Sequence, residues 1–303
     1  MADSGSPSTF SLARFLSQET ESSLTEDDDE DEVNAYVSSI EDEEYLQILL
    51  DKQRDHNDIR SPVDDWIKVA RSEAIQWIIN TRAFFRLRFH TAYLSVIYID
   101  RFLSKGLIGN GKLWAIRLLS VACLSLAAKM AELKAPALSE FPTEEYNFEN
   151  SAIQRMELLV SSTLDWRMHS ITPFDFINSF ISCICNESPN KQSVFLTTQI
   201  LLATTKDINF VGHLSSTIAM AATLMVIDQS LTKESLVIKL KTTWLNRFLD
   251  HEDVYTCYCR ILELEPVKVN VPKPNLATSL ENRPVGTKRK RLAFNESEKK
   301  QLP

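Results

Sequence analysis

Lys129 and Glu157 are two ionisable residues set in conspicuously apolar helical tracts. Lys129 lies in the run LAAKMAE (126–132), and Glu157 lies in RMELLVSSTLDWRMHSITPFDFI (155–177). A charge in such surroundings needs a partner, because burying one alone costs several kcal/mol, roughly. The rest of the chain offers no competing chemistry. Cys183/Cys185 and Cys257/Cys259 have the look of metal-ligand pairs, but both fall in helical patterns. Residues two apart on a helix point about 200° away from each other and cannot share a metal ion. The five histidines are scattered with no HExxH, and no phosphate loop or activated nucleophile is present. A Lys–Glu pair at a helical surface with no cofactor, metal or catalytic set beside it points to a binding protein.

The elements that must carry these residues are helical. Only six glycines occur in 303 residues, where average usage of about 7% would give roughly twenty. That scarcity disfavours strand-rich folds with many tight turns, and glycine-rich nucleotide loops as well. Apolar residues make up 44% of the chain, and its length suits two domains, each with its own core. Charge is concentrated at the ends. Residues 1–60 hold 17 Asp and Glu against 4 Lys and Arg, and residues 266–303 hold 9 Lys and Arg against 3 Asp and Glu. Such tails are expected to be solvated and disordered. An odd number of cysteines, without a signal peptide, fits a reduced intracellular protein.

Along the chain, residues 1–40 are rich in Ser, Thr, Asp and Glu and culminate in EDDDEDE (26–32). From 41 the pattern becomes helical, with an amphipathic segment to about 55 carrying Tyr45, Ile48 and Leu49. Further helices are predicted over 71–85, 91–103, 113–130 and 151–163. The segment 113–130 is apolar almost all round, as a buried central helix must be. Its interruption by Arg117 argues against a membrane span. Thr172-Pro173 opens a second series, since Thr at an N-cap and Pro at the first helical position start helices well. Helices are expected there over 173–185, 190–206, 213–228, 233–246 and 250–262. The expected fold is all-α: an N-terminal helix and first bundle over 41–170, a second bundle over 171–264, and tails at 1–40 and 265–303.

Four separate stretches, RSEAIQWI (71–78), YIDRFLS (98–104), AAKMAE (127–132) and the 155–177 tract, resemble cyclins, most closely plant D-type cyclins. They stand in family order and spacing, and the helix series extends the likeness to about 262. The resemblance implies two consecutive five-helix cyclin-box bundles and a regulatory subunit, not an enzyme, needing no cofactor of its own. It implies that Lys129, Met130, Glu132, Leu133, Glu157 and Trp166 form the face that grips a cyclin-dependent kinase. It implies a structural ion pair between Arg71 and Asp100, and a core position for Leu118. Activation would proceed by packing the first bundle against the mobile C-helix of the kinase, promoting passage from G1 into DNA synthesis. Kinase inhibitor proteins are further partners it implies, and neither nucleic acid nor membrane is expected.

The chain departs from the family pattern in two places. Where D-type cyclins carry Leu-x-Cys-x-Glu, which docks on retinoblastoma-type pocket proteins, this chain reads FLSQE, with Phe15, Ser17 and Glu19. Weak or absent binding of a pocket protein is expected. In the substrate-docking groove Trp77 is kept, but Ala70 and Glu73 stand where larger apolar residues occur, and Arg117 where Gln is common. Losing about 100 Å² of apolar contact would weaken docking by about 2.5 kcal/mol. The basic cluster Lys288, Arg289, Lys290 and Arg291 reads as a nuclear-import signal. The alternative function is a transcription-initiation factor with cyclin-like repeats. It would need a basic face and usually a zinc ribbon, and the near-neutral middle of the chain opposes it.

Overall fold

The computed structural model describes residues 43–53, 65–142, 146–185 and 187–264. Among them are ten α-helices and no strand. The first, α1 (Glu43–Lys52), precedes α2 (Asp65–Phe85), α3 (Phe89–Leu103), α4 (Leu113–Ala131) and α5 (Asn150–Thr163). The second series is α6 (Ile177–Cys185), α7 (Lys191–Thr204), α8 (Ser215–Ile227), α9 (Lys233–Lys241) and α10 (His251–Glu263). The acidic and basic tails, the FLSQE segment with Phe15, Ser17 and Glu19, and the cluster Lys288–Arg291 lie outside the described residues.

Each bundle is organised around a helix with no polar face. In the first, α4 packs against α2, α3 and α5. Its apolar length would also suit a bilayer, but most of it is buried in the protein. Alanine and serine let neighbours approach closely, and the Ser120 hydroxyl is satisfied by donating to the Ile116 carbonyl one turn back. Leu118 is buried in this core with Ile75, Ile78, Ile99, Phe102 and Val160. In the second bundle α8 takes the same part, packed by α6, α7 and α10. Its buried Ile218, Ala219, Met220 and Leu224 meet Phe176, Phe180, Val254 and Tyr258.

The structure differs from the sequence reading in three places. The first bundle, among the described residues, has four α-helices and one 3-10 turn at Leu138–Glu140 rather than a fifth full helix. Pro136 and Pro142 bracket that segment and leave too few residues for more. Helix α2 begins at Asp65, six residues before 71, because Trp66 and Ile67 also pack on the core and Asp65 favours a helix start. Helix α1 does not belong to the first core. Leu46, Leu49 and Leu50 join the core of the second bundle, together with Phe89 and Tyr93 from α3. Gln53 then fastens α1 to the start of α8: its amide nitrogen donates to Ser216 Oγ at 2.8 Å, and its oxygen accepts from the Ser216 backbone N–H at 3.0 Å. The amide thereby satisfies one of the N–H groups a helix start leaves without an intrahelical acceptor.

Candidate functional site

Lys129 lies in the last turn of α4, and Glu157 lies in the middle of α5, the helix packed beside it. Lys129 Nζ stands 2.6 Å from Glu157 Oε1. The carboxylate is nearly buried, with 11% of the side chain exposed, whereas the lysine is 45% exposed. The pair lies at the helical surface, as the sequence reading expects, and opens to solvent on the lysine side. An ion pair with one solvated partner contributes little to stability, about 0–1 kcal/mol. The ammonium has donors left over for an external acceptor.

Apolar side chains on the segments that carry this pair are exposed as well. Met130 is 45% exposed, and Leu133 stands wholly in solvent. Trp166 is 65% exposed, which settles it as surface rather than core. Its placement follows from how α5 ends. The Trp166 N–H donates to the Ser161 carbonyl at 2.8 Å and the Asp165 N–H to the Ser162 carbonyl at 3.1 Å. That pattern is a Schellman termination, with Asp165 in the left-handed slot glycine usually takes. Both Asp165 (φ 54) and Trp166 (φ 59) have positive φ. Non-glycine residues pay for that conformation, by about 1–3 kcal/mol each. The turn projects the indole outward from the end of the helix.

Glu132 behaves differently from the rest of the predicted set. Its carboxylate accepts from the Arg88 backbone N–H at 2.9 Å, from Arg88 Nε at 3.2 Å and from the Thr91 hydroxyl. Arg88 is the N-cap of α3 and brings no side-chain cap of its own. Glu132 supplies that cap from across the fold. Its side chain is committed internally, so it positions the end of α4 rather than offering itself to a partner.

Sequence reasoning missed Leu158 and Leu159, which are 58% and 45% exposed on α5. The signal was present. With Ile153 and Val160 buried, ELLV at 157–160 is too apolar for one inward face, and 158 and 159 must fall outside it.

Arg71 and Asp100 form a bidentate pair, Nε to Oδ1 at 2.7 Å and Nη2 to Oδ2 at 2.9 Å. Both are buried, with side chains 4% and 10% exposed. Burial pushes the Asp100 carboxyl up from its ordinary value, and the guanidinium draws it back. Arg71 Nη1 also donates to the Thr205 carbonyl at 2.8 Å, at the end of α7. The pair thus ties the first bundle to the second, a reach the sequence did not disclose. In the docking-groove region, Trp77 is buried and the Arg117 guanidinium lies over its ring at 5.4 Å. Ala70 is fully buried and Glu73 is exposed. Among the described residues no cluster of His, Cys, Asp and Glu could hold a metal ion. All five cysteines are free thiols.

The helical order and this geometry meet an independent match. The family description "Cyclin, N-terminal domain" fits residues 40–169, and "Cyclin, C-terminal domain" fits residues 171–290. The chain belongs to the cyclin family. It is 39% identical to Cyclin-D5-1 of Arabidopsis thaliana over 97% of this chain and 96% of that protein. It is 39% identical to Cyclin-D1-1 of Arabidopsis thaliana over 67% of this chain and 62% of the relative. A crystal structure of a viral cyclin from herpesvirus saimiri superposes with a TM-score of 0.58 at 14% identity, covering 71% of this chain and 96% of that one. That likeness concerns the fold. Together these place the chain among the plant D-type cyclins, regulatory proteins of cyclin-dependent kinases and not enzymes themselves. Nothing supports the alternative of a transcription-initiation factor.

Proposed function

We propose that the chain activates its cyclin-dependent kinase through the face built by the end of α4 and the outer side of α5. Activation promotes the G1/S transition. The observation that carries this reading is the half-open Lys129–Glu157 pair, on segments whose Met130, Leu133 and Trp166 side chains are exposed to solvent. Leu158 and Leu159 extend the apolar area along α5. A partner that covers these side chains desolvates the pair and gains about 25 cal/mol for each Å² of apolar surface removed from water. Glu132 takes part indirectly, by holding the end of α4 on α3.

In this reading the face packs on the mobile C-helix of the kinase. It moves the glutamate of that helix into its pair with the catalytic lysine, and every phosphoryl-transfer group belongs to the kinase. Substrate choice leans little on the groove at Trp77, because Arg117 lies on the ring and Ala70 offers no exposed apolar surface. Direct docking of a retinoblastoma-type pocket protein through Phe15, Ser17 and Glu19 is weak or absent, kinase inhibitor proteins compete for the assembled complex, and Lys288–Arg291 directs the protein to the nucleus.

The test is affinity capture of a cyclin-dependent kinase by the full chain, with Lys129→Ala and Glu157→Ala tested singly and together, followed by a phosphorylation assay on histone. Capture and stimulation should fall at least tenfold in the double variant while its melting curve is retained. Undiminished capture by a folded double variant would refute the assignment.

A further inference from the structure

A second exposed apolar patch lies away from the kinase face, at the connection between α3 and α4. Leu107, Leu113 and Trp114 are 56%, 40% and 50% exposed. Leu107 sits in the loop, and Leu113 and Trp114 open α4. The charges beside them have one sign. Lys105 and Lys112 are exposed in the same connection, and Arg117 follows Trp114 by three residues on α4. Residues 101–131 contain five Lys and Arg and not one Asp or Glu. Among the described residues, no carboxylate lies within ion-pair distance of Lys105 or Lys112. The first turn of α4 also lacks an acidic residue, so nothing there offsets the positive end of a nineteen-residue helix.

The complementary sequence is within the same chain. Residues 26–32 are seven consecutive Asp and Glu, and the apolar residues Leu24 and Val33 flank them. We infer that residues 24–33 dock on the α3–α4 connection, the carboxylates facing Lys105 and Lys112 and the flanking apolar residues covering Leu107, Leu113 and Trp114.

Length permits it. Helix α1 shares a core with Phe89 and Tyr93 at the start of α3, and α3 carries the chain about 22 Å from there to the patch. The nine residues 34–42, extended, span about 30 Å. An intramolecular segment needs only modest contacts, because its effective concentration at the patch is in the millimolar range, roughly. Docked in this way, it lies beside Trp77 and Arg117 and screens that side of the first bundle from other acidic segments.

Zero-length carbodiimide crosslinking of the full chain, read by peptide mass spectrometry, tests the inference. Crosslinks from residues 26–32 should concentrate on Lys105 and Lys112 rather than on Lys134, Lys191 or Lys206. They should form within monomers at a yield independent of protein concentration, and fall at least fivefold in 0.5 M salt, where charge screening is nearly complete beyond about 4 Å. They should fall similarly in a W114S/L113S variant whose circular dichroism is unchanged. In a chain with residues 26–32 converted to Asn and Gln, Trp114 emission should shift to longer wavelength, with Trp114→Phe identifying its contribution. Crosslinks spread evenly over all surface lysines, crosslinks found only in dimers, or an unmoved Trp114 spectrum would each overturn it.

Discussion

Arg71 bonds to residues of both bundles. It neutralises a carboxylate on α3 and donates to the Thr205 carbonyl at the end of α7, so one guanidinium satisfies acceptors in both bundles. Arg71→Ala should destabilise the protein by about 3–5 kcal/mol, since it leaves Asp100 buried and unpaired. Denaturant melts measure this, and Arg71→Lys should restore only part, because a lysine cannot make the bidentate contact. Lys129→Ala should behave in the opposite way, costing about 0–1 kcal/mol of stability while abolishing kinase capture. Trp166 extends the contrast. Trp166→Gly removes an exposed indole and suits φ 59, so the melting temperature should hold or rise while kinase affinity drops. A fall in both would mean that the indole packs on the fold.

At the level of elements, the start of α3 depends on a cap contributed by Glu132 from the end of α4, which ties the two helix ends together. Glu132→Ala should cost about 1–2 kcal/mol, the usual loss for an N-cap, and should raise amide exchange in the first turn of α3. Kinase affinity should weaken as a consequence, because Met130 and Leu133 flank the anchored residue. Leu118→Ala acts in the core of the same helix and should cost about 2–5 kcal/mol without touching the exposed face. The two central helices were legible to different degrees. The all-apolar run of α4 could be recognised from its residues, whereas α8, equally buried, reads as one helix among five. Helix α1 could be predicted as a helix, but amphipathic spacing states only that one face is buried, not which core buries it.

Over the whole molecule, His90 and His213 set a pH limit. Burial holds His90 below its ordinary value; Asp175 and Glu132 oppose that effect, and Arg88 and His169 reinforce it. His213 is lowered for the same primary reason, with Asp253 opposing and Arg260 reinforcing. Above the unfolded value of 6.5 both states are neutral and the fold keeps its full stability. As pH falls through 6.5 the unfolded chain binds protons that the folded one resists, so stability declines. Thermal melts should therefore drop between pH 7.5 and pH 5.5, and the His90→Gln variant should drop less. The two-bundle molecule should respond as one unit, because Arg71, Gln53 and the residues of α3 join its halves.

Helix spacing, the shortage of glycine and the four family stretches were enough to establish an all-helical cyclin with two bundles, because periodicity and local motif order are properties of contiguous residues. They also singled out Lys129 and Glu157, since charge in an apolar tract is visible without coordinates. The exposure of the other side chains was not visible. That Glu132 turns inward, that Trp166 turns outward, that Leu158 and Leu159 are left uncovered and that Arg71 reaches Thr205 all depend on contacts between residues far apart in the chain. Such contacts arise only when separate helices pack, and no local pattern encodes which side of a helix its distant neighbours will leave open.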